Sequence, residues 1–519
     1  MSAKKIQVIA MNRVEGDLEV HLEMEDGLIR EARCVGTMFR GIENLLLGRG
    51  LLDGLVITPR ICGICTTAQL KAAAKALDVA FEADVPDNGR RIRNITLMVE
   101  MLQNDIRHAF LLFLPDFTNS IYRSFPFYEE IVNRYAPLKG RTVIETIKET
   151  KRILEITAIL GGQWPHSSFM VPGGVVSVPS ISDLATCRYI LGTYRRWYES
   201  RVLGCSLSRW SEIRSKADLL SWLDEKPSHG KSELGFFIRI SMSVGLQSLG
   251  AAHGNFLSFG ALDLPAATDV APLGQGETFM PGGFYRNGRT LPFRQENILE
   301  DVSHARFDDD TSVMHPFRGL TVPGTSDSEE KYSWAKAPRY KGLPAETGPL
   351  AEMVLSNDPL FLDLIKEDGP GVFARELARL SRPALLIPVM EQWLKEVADD
   401  CTNFFTTYRK RQEGKGSGLI EAPRGALGHW LTFEKGKITN YQVVTPTTWN
   451  ASPRDADGER GPMEEALVGT PVRDPDNPVE AEHVVRSFDP CLVCTVHTVD
   501  LSGRSGRRTN SPVMVWPRP

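Results

Sequence analysis

Two short cysteine pairs, "RICGIC" at 60–65 and "DPCLVC" at 489–494, constrain this chain more than any other feature. Each sets two thiols three residues apart, at Cys62 and Cys65 and at Cys491 and Cys494, and the pairs lie 429 residues from one another. Thiols at i and i+3 in a turn or at a helix start project to one side, so two facing pairs make a four-sulfur site. A fold that uses both must return the end of the chain to its beginning. Spacing alone leaves several occupants open: a structural zinc ion, a redox disulfide, an iron–sulfur cluster, or another thiophilic metal such as copper(I) or nickel. Pro490 reads as the first residue of a helix, which sets Cys491 at a helix N-terminus, where the dipole favours the thiolate.

Against the zinc reading, such sites staple short segments, whereas 519 residues at 42% hydrophobic composition bury an ample core without metal. Only eight cysteines are present, and half of them form the two pairs, which points to metal or redox use in a reducing compartment. Cys34, Cys187, Cys205 and Cys401 are scattered and read as buried or incidental. A net charge of −5 with interspersed signs gives no footing for nucleic acid. No run reaches the roughly 18–20 apolar residues of a membrane span, and none of signal-peptide length precedes Arg13 and Glu15. The localisation expected is cytoplasmic, with any membrane attachment made through partners.

Residues 6–36 alternate apolar and polar around an "EDG" turn, which predicts a β-hairpin or small sheet. From Pro86 the period becomes helical, with Ile92, Ile95, Val99, Leu102, Ile106 and Ala109 on one face. A helix from about 143 to 160 stopping at Gly161–Gly162, one or two helices over 184–224, and a Ser-capped helix over 381–412 are expected next. Residues 262–349 read as short β pieces in Gly- and Pro-rich loops, and 451–482 as a surface excursion. The fold class expected is α+β, a mainly α-helical core bundle with a peripheral β-sheet.

The flanks of the cysteine pairs narrow the choice. "MNRVEGDLEV", "VGTMFRGIENLLLGR", "RICGICTTAQL", "YSWAKAPRYKGLPAETGPLA", "IEAPRGALGHW", "VTPTTWNASPRD" and "DPCLVCTVH" occur in this order. Together they closely resemble the large, catalytic subunit of nickel–iron hydrogenases, over about residues 8 to 497. "CTTAQ" is similar to the uptake and hydrogen-sensing branch of that family. The resemblance implies a nickel ion beside an iron atom carrying carbon monoxide and cyanide. Cys62 and Cys491 would bind nickel terminally, and Cys65 and Cys494 would bridge the metals. The activity implied is heterolytic oxidation of H2, with the proton passing to a nearby base.

By the same resemblance, Glu15 of "RVEG" is that base, beside Cys491. Glu43 of "MFRGIE", His497 of "CTVH" and a backbone carbonyl in "YQVV" would hold a magnesium ion. Arg424 would overhang the open metal position, Thr447 would hydrogen-bond a cyanide nitrogen, and Asp489 would support Arg424. Gln69 stands where many relatives have His; it still donates a hydrogen bond to a bridging sulfur but cannot titrate. Asn104 replaces a common Asp near Arg424. Ile64, where Val is commoner, and Leu112 face the gas path, an expectation that bears on oxygen tolerance.

The resemblance divides the chain into a single catalytic domain, 1–497, and a C-terminal tail, 498–519, as a maturation extension. No cysteine set remains here for an iron–sulfur cluster, so electrons must leave through an iron–sulfur small subunit to a downstream acceptor such as a quinone. A maturation protease, metal-insertion proteins and a higher oligomer of heterodimers are the other partners implied. Three alternatives stand beside the uptake enzyme. They are a hydrogen-sensing regulatory hydrogenase, a respiratory-complex subunit that shares the scaffold without its cysteines, and a zinc-stapled interaction protein.

Overall fold

In the computed structural model, residues 5–273, 277–309, 313–324, 328 and 330–495 are described, the side chains of 494 and 495 excepted. A helical core surrounds Asp87–Arg107, a helix of 21 residues that is buried along nearly its whole length. It starts after the extended Pro86, and the Asp87 carboxylate accepts from Ala266 N (2.9 Å) and Ala267 N (3.0 Å). At its far end it widens into a π-helical turn, His108–Phe113. The second long helix, Val372–Asp399, crosses it, and the two are joined by a fully buried ion pair, Arg382 to Asp105 at 2.6 Å.

At the N-terminus, Lys5–Ala10, Leu18–Glu25 and Leu28–Gly36 form an antiparallel sheet turning at Asp26–Gly27. Leu18, Val20, Leu22 and Met24 alternate inward, as the sequence pattern predicts. A second antiparallel sheet, Gly414–Ala422, Gly425–Glu434 and Lys437–Val444, lies against the helix Thr66–Phe81.

That packing is unusually close, and glycine makes it so. A Cβ on Gly418 would lie 1.8 Å from Ala72 O, and one on Gly416 would lie 2.0 Å from Ala76 O. Alternate strand residues repeat at about 6.6 Å, and helix residues four apart at about 6 Å. Glycines two apart therefore stay opposite alanines four apart. Gly418 meets Ala72 and Gly416 meets Ala76, so helix and strand run antiparallel. The helix N-terminus, carrying Cys65, and the strand C-terminus, leading to Pro423–Arg424, emerge at the same end.

Several boundaries differ from expectation. The segment 143–160 is two helices, Arg141–Ile153 and Glu155–Gly161, ending at Gly162 with φ 83°. The predicted 184–224 helices appear as Ile181–Trp197, extended by a π-helical turn, with Leu207–Trp210 and Lys216–Glu225 after it. The late helix begins at Val372 rather than Ser381, includes Pro383 and Pro388, and ends at Asp399. Residues 371–380 are buried without exception, Arg375, Glu376 and Arg379 included. Ser381 is interior, donating to Leu377 O at 2.8 Å. The stretch 451–482 is less a surface excursion than a polar clasp. Asp455 accepts from Arg339 at 2.6 Å, and the buried Glu464 accepts from Cys34 N at 2.8 Å and Tyr332 Oη at 2.9 Å.

The helix–strand register is tested by Gly418→Ala. With backbone oxygen in the way, the helix must lift, and we expect a loss of about 1–3 kcal/mol in urea unfolding.

Candidate metal centre

The chain ends meet through backbone hydrogen bonds. Glu15 N donates to Pro490 O (3.4 Å) and Leu492 N donates to Glu15 O (2.6 Å), which makes a parallel bridge between Glu15 and Cys491. Gly16 follows with φ 81°, and a Cβ there would lie 2.7 Å from Val493 N. The partly buried Arg40 ties the two cysteine segments together, donating to Ile61 O (2.6 Å) and Val493 O (2.9 Å).

This convergence brings three sulfurs to one point. Cys62, Cys65 and Cys491 are buried, and their sulfur atoms lie within 4.8 Å of one another. Cys62 Sγ and Cys491 Sγ are 3.6 Å apart, well beyond the roughly 2.05 Å of a disulfide. Cys65 occupies the N-cap position of Thr66–Phe81. Cys491 sits in the bridge one residue before the short helix Leu492–Thr495, so Pro490 is not its first residue as predicted; Pro490 O is engaged by Glu15 instead. Cys494 lies on that helix, but its side chain is outside the described residues, as are His497 and the tail 498–519.

Around the sulfurs the charges are fixed. Burial alone would disfavour the Arg424 cation, but Asp489 and the sulfurs of Cys491, Cys65 and Cys62 outweigh it and raise its pKa well above the ordinary value. Arg424 Nε reaches Asp489 Oδ1 at 3.0 Å and Asp489 O at 3.1 Å, while its buried Nη1 has no hydrogen-bond partner among the described residues. Asp489 is likewise buried; Arg424, then His108 and Arg379, overcome the desolvation and hold it well below the usual carboxylate range. Asn104 donates to it at 2.8 Å, so this amide serves Asp489. Glu15 is half-buried; desolvation raises its pKa against the pull of Arg424, and Cys62 and Asp489 push the same way.

Thr447 Oγ1 accepts from Cys491 N at 2.9 Å, leaving its hydroxyl hydrogen to donate. Gln69 is buried one turn beyond Cys65. Glu43 accepts from Val443 N at 2.8 Å and from the Thr321 hydroxyl, beside a cavity of about 20 Å³ that Glu300 and Lys336 also line. Burial pushes the Glu300 carboxyl up to about 7, with Lys336 opposing and Glu43 reinforcing the shift. Phe39, Phe307, Trp334 and Val443 also line this cavity, and the Lys336 ammonium lies 3.7 Å from Glu300 Oε2.

Sequence reading passed over three neighbours. Glu100, buried behind the cysteine loop, accepts from Thr67 N (2.7 Å) and Ala68 N (3.0 Å), and burial pushes it up to about 8. A lone carboxylate inside the apolar run "MVEML" was its signal. His429 lies within a quoted motif but received no role. Arg40, in "MFRGIE", was likewise passed over.

Buried sulfurs this close, beside a buried cation with an unsatisfied donor, fit a thiolate-bound metal. The choice among metals comes from comparison: a family model described as nickel-dependent hydrogenase matches residues 40–123 and 240–497. The chain belongs to that family. The hydrogenase is 33% identical to the periplasmic [NiFeSe] hydrogenase large subunit of Desulfomicrobium baculatum, over 95% of each chain. It is 29% identical to the uptake hydrogenase large subunit of Rhizobium leguminosarum bv. viciae, over 98% of this chain and 97% of that one. Its fold superposes on the Ni-Fe-Se hydrogenase from D. vulgaris Hildenborough with a TM-score of 0.80 at 30% identity, covering 95% of this chain and all of that one. As a large subunit of this family it is an oxidoreductase of molecular hydrogen. The expected fold class, helical core with β-sheet, holds.

The Arg424–Asp489 pair is tested by Asp489→Asn, which leaves a buried guanidinium without its carboxylate. We expect a loss of about 3–5 kcal/mol in urea unfolding at pH 7. Asp489 has a lowered folded pKa, so its contribution is present above the unfolded value of about 4 and disappears as pH falls through the folded one. The difference between wild type and variant should shrink in strong acid.

Proposed function

We propose that this hydrogenase works in hydrogen uptake at a nickel–iron centre held by Cys62, Cys65, Cys491 and Cys494. When bound, that centre supplies a Lewis-acidic position at which hydrogen is polarised for heterolytic cleavage. The observation that carries the reading is the backbone bridge between Glu15 and Cys491, which ties a carboxyl-bearing residue to a thiol-bearing one.

The chain's own residues divide the remaining work. Glu15, with its pKa raised towards working pH, takes up a proton and passes it outward. Arg424 keeps a permanent cation beside the sulfurs, and its Nη1, without a partner among the described residues, is the donor for a group bound there. Thr447 accepts from the Cys491 amide, and its hydroxyl hydrogen would be available to a cyanide ligand of the bound centre. Asp489 orients Arg424. Glu43, with His497, would hold the magnesium ion that the family resemblance implies.

Electrons go to an iron–sulfur small subunit. Among the described residues no second cluster of metal-ligating side chains lies on this chain. Met38, Leu45, Leu47, Leu52 and Val56, all between the Glu15 loop and Cys62 in sequence, are exposed apolar residues of the sort a partner covers. The uptake direction follows relatives named uptake hydrogenases. The cytoplasmic placement rests on the unpaired thiols of Cys34, Cys187, Cys205 and Cys401, which suit a reducing compartment.

Two measurements test this. Elemental analysis of the purified heterodimer should return one nickel per heterodimer, iron in excess of nickel because the small subunit's clusters add to it, and little zinc, and Cys62→Ser should lose the nickel. Glu15→Gln should keep metal content and lose turnover and H/D exchange by about 10²–10⁴-fold. In wild type the acid limb of exchange should lie above the ordinary carboxylate range, where Glu15 gains its proton; in the variant that limb should vanish.

A further inference from the structure

The carboxylate of Asp116 is held by arginines from both ends of the chain. It sits in the 3₁₀ turn Leu114–Thr118, straight after the π-helical turn His108–Phe113, and is buried to 2% exposure. From the helix Val479–Ser487, which leads into the Cys491 segment, Arg486 Nη1 reaches Asp116 Oδ1 and Oδ2, both at 2.7 Å. From the loop after the first strand, Arg13 Nη2 donates to Oδ1 of the same carboxylate, and Arg13 Nη1 donates to Leu112 O at 3.1 Å. Arg486 also holds that loop directly, its Nη2 donating to Asn12 O (3.0 Å) and Asn12 Oδ1 (2.7 Å). Burial opposes the Asp116 anion, but Arg486 and then Arg13 outweigh it and lower its pKa, so the carboxylate stays charged.

This grip fixes a turn that the backbone would not choose. Arg13 lies at φ 53°, in the left-handed region where a residue with a Cβ is seldom found, and Gly16 follows at φ 81°. Such a conformation persists where its surroundings over-determine it, and here they include the Asp116 carboxylate and the Leu112 carbonyl. Glu15 stands between the two left-handed residues. Its backbone is bridged to Cys491, and its carboxyl feels the charges of Arg424, Cys62 and Asp489. The loop that presents Glu15 and the helix that leads to Cys491 thus share one buried anchor.

We infer that Asp116 is a positioning residue for hydrogen conversion. Through Arg13 it holds the left-handed turn that aims Glu15 at the cysteine cluster, and through Arg486 it ties that turn to the segment carrying Cys491. This rests on Glu15 being the base proposed above. A group misplaced by about 1 Å from the atom it serves can lose on the order of 10²-fold in rate.

The test is made on the purified heterodimer, with turnover expressed per nickel. Asp116→Asn should keep nickel and lower kcat by about 10–100-fold, with KM for H2 within about twofold of wild type, because gas binding does not use the turn. In a Glu15→Gln background the same substitution should cost less than about twofold more, since no base is left to aim. A purely structural role would cost the same in both backgrounds, and that result overturns the inference, as does full turnover of Asp116→Asn. Should Asp116→Asn lose nickel, Arg13→Ala decides by the same two readings, since it leaves the pair between Arg486 and Asp116 in place. Unchanged turnover of Arg13→Ala then overturns the inference. Full turnover of Glu15→Gln alone refutes the base reading, and the inference falls with it.

Discussion

Everything at the centre depends on how closely Thr66–Phe81 approaches the strand Gly414–Ala422. The matched repeats, about 6 Å on the helix and 6.6 Å on the strand, let glycines nest against alanines without a side chain between. Because the two elements run antiparallel, the same contact delivers Cys65 and Arg424 to one end. Arg424 follows the strand by two residues, so a small lift of the helix shifts the cation relative to the sulfurs. A packing contact with almost no side-chain atoms thus sets the electrostatics of the site.

The second constraint is charge held in a dry interior. Arg424, Asp489, Arg382, Asp105, Glu352 and Glu376 are all buried. An isolated buried charge carries a large desolvation cost; paired, these groups stay in position. The arrangement is a poor source of stability and a good source of fixed field, since groups that are already oriented need not reorganise when charge develops beside them. Glu15 is the exception. It is only half-buried and its backbone, rather than an ion pair, anchors it, so its carboxyl is free to gain and lose a proton.

Local pattern was legible where one face is wet and the other dry. The alternation over Leu18–Glu25 and the "EDG" turn read directly as a hairpin, and the stripe from Ile92 to Ile106 read as a helix. Pattern failed where every face is dry. Residues 371–380 do carry a polar stripe, Arg375, Glu376 and Arg379, but it is buried in ion pairs rather than wet, and the helix was recognised only from Ser381 onward. Pattern also misled in 451–482, whose Asp and Glu residues look solvated by composition yet clasp Arg339, Tyr332 and the Cys34 amide inside the fold.

What the sequence by itself determined was the donor set: four thiols in two i, i+3 pairs, with Glu15, Arg424 and Asp489 in flanking motifs. Side-chain chemistry and short spacing are local properties, and a single chain carries them in full. What only the tertiary structure decided was who faces whom. Gln69 and His429 are 360 residues apart, and Glu15 and Cys491 meet across nearly the whole length of the chain. The proton positions follow from those meetings, because desolvation and pairing depend on neighbours that no local window contains. An aspartate in "FLPDFT" is an ordinary residue until Arg13 and Arg486 close on it from opposite ends of the chain.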